Sequence, residues 1–313
     1  MGTVGRRGIA CGALQAPELP QHGSELCQVR LGEGRLQEVP RRPRLGGVRR
    51  KLPSTGRFLL IVGDYTRIEP AADHVGRVIL SQPPNNFFSV GMIAEIADGL
   101  EAFDADDDCR VVVVSAEGKH FCAGADFSRR DARDDTGELY RMAVRLFRTR
   151  KPIIAAVQGA AIGGGLGVAM AADFRFVSPS ARLSANFAQL GFHHGFGLSV
   201  TLPRVVGAQR AADLLFTGRR VPGDEALALG LADRLVDDAS LIDAALDYAR
   251  SIASSAPLAV ESIRATLRGD LADRIASATE HELAEQLRLR RTNDFAEGVR
   301  ATAERRPARF TRS

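Results

Sequence analysis

Lys151-Pro-Ile-Ile-Ala-Ala-Val-Gln-Gly-Ala-Ala-Ile-Gly-Gly-Gly165, continued by Leu166-Gly-Val-Ala-Met-Ala-Ala172, is the stretch that decides the fold. From Ile153 to Ala172 it carries one polar side chain, Gln158, in 20 residues. Two glycine spacings of four, 159 to 163 and 163 to 167, would suit a membrane helix with a close-packing face. The triplet Gly163-Gly164-Gly165 argues against that reading, because each interior glycine costs a helix about 1 kcal/mol relative to alanine. The run is also the only one of its kind, and Ala and Gly dominate it. A buried strand over Ile153–Val157, a glycine turn and a buried helix explain it better.

Working outward, the same strand and helix signals alternate. Val111-Val-Val-Val114 is β-branched and wholly apolar, as a strand buried on both faces must be. Val75–Leu80 reads as a strand stopped by Pro83-Pro84. Met92, Ile93, Ile96, Leu100 and Phe103 recur at helical spacing, and Tyr140–Phe147 is helical again. Phe174–Val177 is a further strand, and after Ala208 the chain reads as helix to its end. The alternation predicts an α/β fold of parallel βαβ units. No internal repeat is visible.

Residues 1–61 differ in kind. They hold 10 of the 31 glycines and 5 of the 14 prolines, with 11 basic and 4 acidic side chains. The other 252 residues hold 31 basic and 34 acidic side chains, so the formal net charge of +4 belongs to the N-terminal fifth. The run Arg41-Arg42-Pro43-Arg44 with Arg49-Arg50-Lys51 would suit a polyanion, but the composition predicts an unfolded extension or the product of a mis-set start. Ile9–Leu14 is too short for a secretory core. The 45% hydrophobic and 26% charged fractions are those of a globular protein. Four unpaired-looking cysteines give neither a disulfide framework nor a zinc site, and point to a reducing, cytoplasmic setting. With no Trp and three Tyr the body offers few stacking platforms, so no nucleic acid is expected, and no membrane.

Two segments look like backbone anion sites. Phe121-Cys-Ala-Gly-Ala-Asp126 follows the Val111–Val114 strand, and Gly159–Gly167 follows the Ile153–Val157 strand and opens a helix. Small residues let a ligand approach the main chain, and free N–H groups at a helix start favour negative charge. Two such segments from neighbouring strands are placed to pinch one oxygen atom.

These residues carry a family resemblance. Phe121–Asp126 resembles the oxyanion-hole motif of the enoyl-CoA hydratase/isomerase (crotonase) superfamily, and Lys151–Gly165 its second motif. Ala171-Ala-Asp-Phe-Arg175, Leu215-Phe-Thr-Gly218, Ala226-Leu-Ala-Leu-Gly-Leu-Ala232, Asp294-Phe-Ala-Glu-Gly-Val299 and Glu304-Arg-Arg-Pro307 match in order, so the resemblance spans residues 65–310. It implies a crotonase-like core of repeated ββα units over 62–240, a helical C-terminal trimerisation region over 241–313, and homotrimers or hexamers. It also implies an acyl-CoA ligand, coenzyme A being part of the substrate rather than a separate cofactor. By the motif match, the N–H groups of Ala125 and Gly164 would bind the thioester carbonyl. Asp126, Phe127 and Ser128 would line the path of the coenzyme, and Ala123 and Phe187 would also bind the substrate.

The departures narrow the chemistry. The two hydratase glutamates fall on Gly167 and Phe187, and neither can move a proton. In Gly191-Phe-His-His-Gly-Phe-Gly197, His194 stands where most of the family has proline and a naphthoyl-CoA synthase-like branch a carboxylate. It is either an acid or base near neutral pH or a hydrogen-bonded turn residue. His193 reads as structural, and the pair lacks a third metal ligand. Asp131, Asp134 and Asp135 read as a solvated charge run, and Cys122 as a small packed hydrophobe. Three functions remain: an acyl-CoA enzyme that needs the oxyanion hole but not both glutamates, such as a decarboxylase or hydrolase using His194; a hydratase handling water by other groups; and a non-catalytic acyl-CoA-binding protein.

Overall fold

The computed structural model describes residues 27–31, 35–39, 61–126 and 136–313. The chain divides into two compact units, Met1–Gly56 and Arg57–Ser313. In the first, strands β1 (Cys27–Leu31) and β2 (Arg35–Val39) pair antiparallel, with Cys27 opposite Val39. These strands fall within the stretch expected to be an extension, and Cys27, Val29 and Leu31 alternate with polar residues there. The rest of the expected extension, including the arginine runs, lies outside the described residues.

The second unit runs β3 (Ile61–Val62), β4 (Thr66–Ala72), β5 (Val75–Leu80), α1 (Val90–Asp104), β6 (Val111–Ala116), α2 (Thr136–Phe147), β7 (Ile153–Val157), β8 (Ala160–Ile162) and α3 (Gly164–Ala171). It continues with β9 (Phe174–Val177), β10 (Arg182–Ser184), α4 (Leu198–Val206), α5 (Ala208–Thr217), β11 (Val221–Pro222), α6 (Gly223–Leu229) and β12 (Arg234–Leu235). It ends with α7 (Leu241–Ala253), α8 (Pro257–Arg268), α9 (Leu271–Leu289) and α10 (Asn293–Ala303). A seven-stranded sheet has the order β12-β9-β7-β6-β5-β4-β3. It is parallel from β5 to β12 and antiparallel where β3, β4 and β5 meet. A small sheet of order β11-β10-β8 stands beside it.

The valine run on β6 divides between two cores. Val112 and Val114 join Met92, Ile96 and Leu100 of α1 and Leu146 of α2. Val111 and Val113 join Ile154, Phe176 and the α7 residues Leu241, Ala245 and Ala249. Both faces of the parallel strands are thus covered, as their apolar sequence requires. A boundary at 240/241 therefore runs through the core, since α7 closes the second face. The apolar stretch 153–172 is β7, β8 and an eight-residue α3, and among the described residues no helix is long and apolar enough to cross a membrane.

Helix α8 is attached differently. Its one buried residue is Arg264. Arg264 and Arg268 donate from Nε to the Asp173 carboxylate at 2.8 and 2.9 Å, and the same carboxylate accepts the Ile153 N–H at 2.8 Å. The turn before β9 thus binds α8 and β7 at one point.

Candidate active site

The two glycine-rich segments meet because one is stitched along the other. Cys122 forms a parallel bridge with Ala161: its N–H donates to the Ala160 carbonyl at 2.9 Å, and its carbonyl accepts the Ile162 N–H at 3.0 Å. Gly165 permits that approach, since a Cβ there would lie 2.3 Å from the Cys122 carbonyl oxygen. On the other side, Ala123 N–H donates to Asn85 and Gly124 accepts from Phe88. Buried Asn86 anchors this loop through the Glu117 and His120 carbonyls at 2.8 and 2.7 Å.

Gly163, at φ +56°, turns the chain into α3 and leaves Gly164 as its first helical residue. The first N–H groups of a helix have no intrahelical partner. Among the described residues, the N–H groups of Ala125 and Gly164 donate to no backbone oxygen. Both residues line one cavity of about 550 Å³. Ala123, Asp126 and Phe187 line it as well. Phe127, Ser128, Asp131, Asp134 and Asp135 lie outside the described residues.

The cavity walls are mainly aromatic and aliphatic, including Phe87, Phe88, Leu139, Leu190 and Phe196. Phe187 and Phe192 pack with ring centroids 5.4 Å apart. Among the described lining residues, Asp126 is the one carboxylate. Gly167 is buried, and a Cβ added there would meet the Phe196 ring at 2.4 Å, so that position has no room for a carboxylate side chain.

His194 is not among the residues that line the cavity. Of the two roles left open for it, its contacts are those of a hydrogen-bonded turn residue. Its Nε2 lies 3.0 Å from Ser199 Oγ, and Ser199 Oγ donates to the buried Glu282 carboxylate. Glu282 also accepts the N–H groups of Gly197 at 2.8 Å and Ser199 at 3.1 Å. With the Ser199 proton committed to Glu282, His194 Nε2 is the donor in this pair. Burial first, and then His193 and His281, push it down to about 4. His193 stacks on His194 at 4.1 Å. Cys122 is fully buried and its thiol is pushed up to about 12 by burial, which suits a packing role.

Sequence reasoning missed the polar side of the cavity. Tyr140 on α2, Gln286 on α9 and Arg290 at its end all line it. Amphipathic helices carry such residues at any exposed position, so no local signal marks them.

The enoyl-CoA hydratase/isomerase family profile matches residues 71–313. Enoyl-CoA hydratase ACTT3 of Alternaria alternata is 32% identical over 255 residues, covering 77% of this chain and 84% of that protein. A crystal structure of an enoyl-CoA hydratase/isomerase from Pseudoalteromonas atlantica superposes with a TM-score of 0.71 at 29% identity, covering 79% of this chain and all of that one. Pseudomonas aeruginosa OdaA superposes with a TM-score of 0.68 at 29% identity, covering 77% and 99%.

Proposed function

The chain belongs to the enoyl-CoA hydratase/isomerase family, and on that basis we propose that it acts on an acyl-CoA thioester whose carbonyl oxygen is held by the N–H groups of Ala125 and Gly164. One observation carries the reading: two backbone donors without a backbone acceptor among the described residues, one of them opening a buried helix, line the same largely apolar cavity. An enolate or tetrahedral oxyanion concentrates charge on that oxygen, and removing one such donor typically costs about 10²–10³ in rate. Asp126, with Phe127 and Ser128, would follow the coenzyme, and Phe187 the acyl chain.

The reaction we favour is one that needs this donor pair but not two carboxylates: decarboxylation, thioester or C–C hydrolysis, or an atypical isomerisation. Gly167 and Phe187 support that choice, as neither can transfer a proton. His194 enters this reading as a residue that holds the 193–197 turn, because its hydrogen bond runs to Ser199. Coenzyme A arrives with the substrate. Self-association as a trimer or hexamer is part of the proposal, supported by the outward Leu258, Ile263 and Leu267 of α8. Two free, buried cysteines, Cys109 and Cys122, suit a reducing cytoplasm.

The test is the thioester C=O stretch of bound butyryl-CoA. It should move to lower wavenumber on the protein and return towards the free value in Ala125→Pro, which lacks that N–H. An unshifted band on the unaltered protein would remove the oxyanion reading. Tight binding without turnover across an acyl-CoA panel would make the protein a binder.

A further inference from the structure

One wall of the cavity is polar, and a reaction at the thioester makes no use of it. Gln286 is 1% exposed, and its carboxamide is fixed at both ends. Nε2 donates to the His193 carbonyl at 2.8 Å, and Oε1 accepts from Arg290 Nη2 at 3.2 Å. Arg290 Nη1 donates to Thr136 Oγ1 at 2.7 Å, and its guanidinium lies 5.5 Å from the Phe192 ring centroid. The guanidinium thus engages the side-chain oxygens of Gln286 and Thr136.

Tyr140 stands among them, 6% exposed. Among the described residues its hydroxyl is hydrogen-bonded to no acceptor, and the Gln286 carboxamide beside it is turned by its other bonds to present Nε2. Gly195 makes the approach possible, since a Cβ there would lie 1.7 Å from the phenolic oxygen and 2.8 Å from Gln286 Nε2. The Glu282 carboxylate is engaged by the N–H groups of Gly197 and Ser199 and by the Ser199 hydroxyl. Burial pushes the phenol's pKa well above its ordinary value, so it remains O–H. Tyr140 lines the cavity, so that proton is available to an oxygen held there. A buried donor left without an acceptor costs stability, and a ligand oxygen would supply the acceptor.

We propose that this wall selects acyl-CoAs whose acyl group carries a hydrogen-bond-accepting oxygen, a ketone or a carboxylate, over plain hydrocarbon chains, with the Tyr140 hydroxyl as the donor. The inference rests on the acyl-CoA reading of the cavity. The methylene portion lies against Phe187, Leu190 and Phe192, which line the same space. A hydrocarbon in place of the oxygen would leave the phenolic proton unpaired, and sites built for a hydrogen bond reject analogues that lack it.

The experiment is calorimetric titration of the full chain with length-matched sets: butyryl-, acetoacetyl- and succinyl-CoA, then hexanoyl-, 3-oxohexanoyl- and adipoyl-CoA. At one length or both, an oxygenated member should bind about 10-fold tighter than the hydrocarbon, the upper range of one net hydrogen bond. Tyr140→Phe should bring that ratio close to one. A residue that merely supports the fold would lower all affinities in proportion and leave the ratio intact, which would overturn the proposal. Arg290→Gln separates the two sources, because a carboxylate preference should fall with it and a ketone preference should survive. Acyl-CoAs that bind without preference would overturn this inference alone. If none binds tighter than free coenzyme A, the acyl-CoA reading falls and takes this one with it.

Discussion

At the scale of single residues, the missing carboxylates have a steric side as well as a chemical one. A lost general acid–base group costs about 10²–10⁴ in rate, and if Gly167 and Phe187 occupy the two carboxylate positions, both groups are absent. Crotonyl-CoA hydration by the unaltered protein should accordingly be very slow. Neither position can simply be refilled. Gly167→Glu would drive Cβ into the Phe196 ring, and Phe187→Glu would place a carboxyl beside the Phe192 ring, where burial favours its neutral form. Both variants should therefore leave crotonyl-CoA hydration as slow as before in a spectrophotometric assay, with Gly167→Glu also melting lower. Fast hydration by either would show that the position alone was limiting. His194 yields a pH prediction. It titrates at about 4 when folded, against an ordinary value of 6.5. Between these values only the unfolded chain takes up the proton, so stability falls as pH falls from about 6.5 to 4 and levels off below. Glu282, raised by burial, contributes with the opposite sign. His194→Gln removes the first contribution, and its melting temperature should vary less over that window than that of the unaltered protein. Identical profiles would mean that His194 is as protonated when folded as when unfolded.

At the scale of elements, α8 tests whether polar contacts can hold a helix that buries little apolar surface. Arg264, 7% exposed, and Arg268, 12% exposed, converge on Asp173. Arg264 also donates to the Thr149 carbonyl and Arg268 to the Ala171 carbonyl. Asp173→Ala leaves two largely buried guanidinium groups without their carboxylate, and breaking a buried pair from one side costs about 3–5 kcal/mol. Urea unfolding should show a loss of that order, and a loss under about 1 kcal/mol would mean that water replaces the carboxylate. The same element shows what local patterning can convey. Pro257 at the first helical position and Gly269 after the last residue mark both ends of α8, whereas its partner Asp173 lies 91 residues before Arg264.

At the scale of the whole molecule, the outward side of α8 is the unusual surface. Leu258 is 79% exposed, Ile263 59% and Leu267 69%, and Phe216 of α5 is 79% exposed. Apolar surface of this kind on a stable protein marks an interaction site. Light scattering should give a mass three or six times 33.6 kDa. Ile263→Glu with Leu267→Glu should shift it towards the single chain. An unaltered protein running at 33.6 kDa would refute self-association.

What the sequence determined by itself is what short-range physics encodes. Val111–Val114 read as a strand covered on both faces, and the 163–165 triplet as a break between strand and helix, where Gly163 makes the turn and Gly164 opens α3. The absence of carboxylates at 167 and 187 was equally legible, because a residue's chemistry needs no partner to be read. Packing between distant elements decided the rest. The direction of the His194 ring depends on Ser199 and on Glu282, 88 residues downstream, so turn composition alone left an acid–base role and a structural role equally open. The polar wall depends on α2 and α9 crossing, with Tyr140 and Gln286 brought to the same glycine, Gly195. Neither residue stands out on its own helix, since an amphipathic pattern records which face is buried but not whether that face meets a core or a cavity.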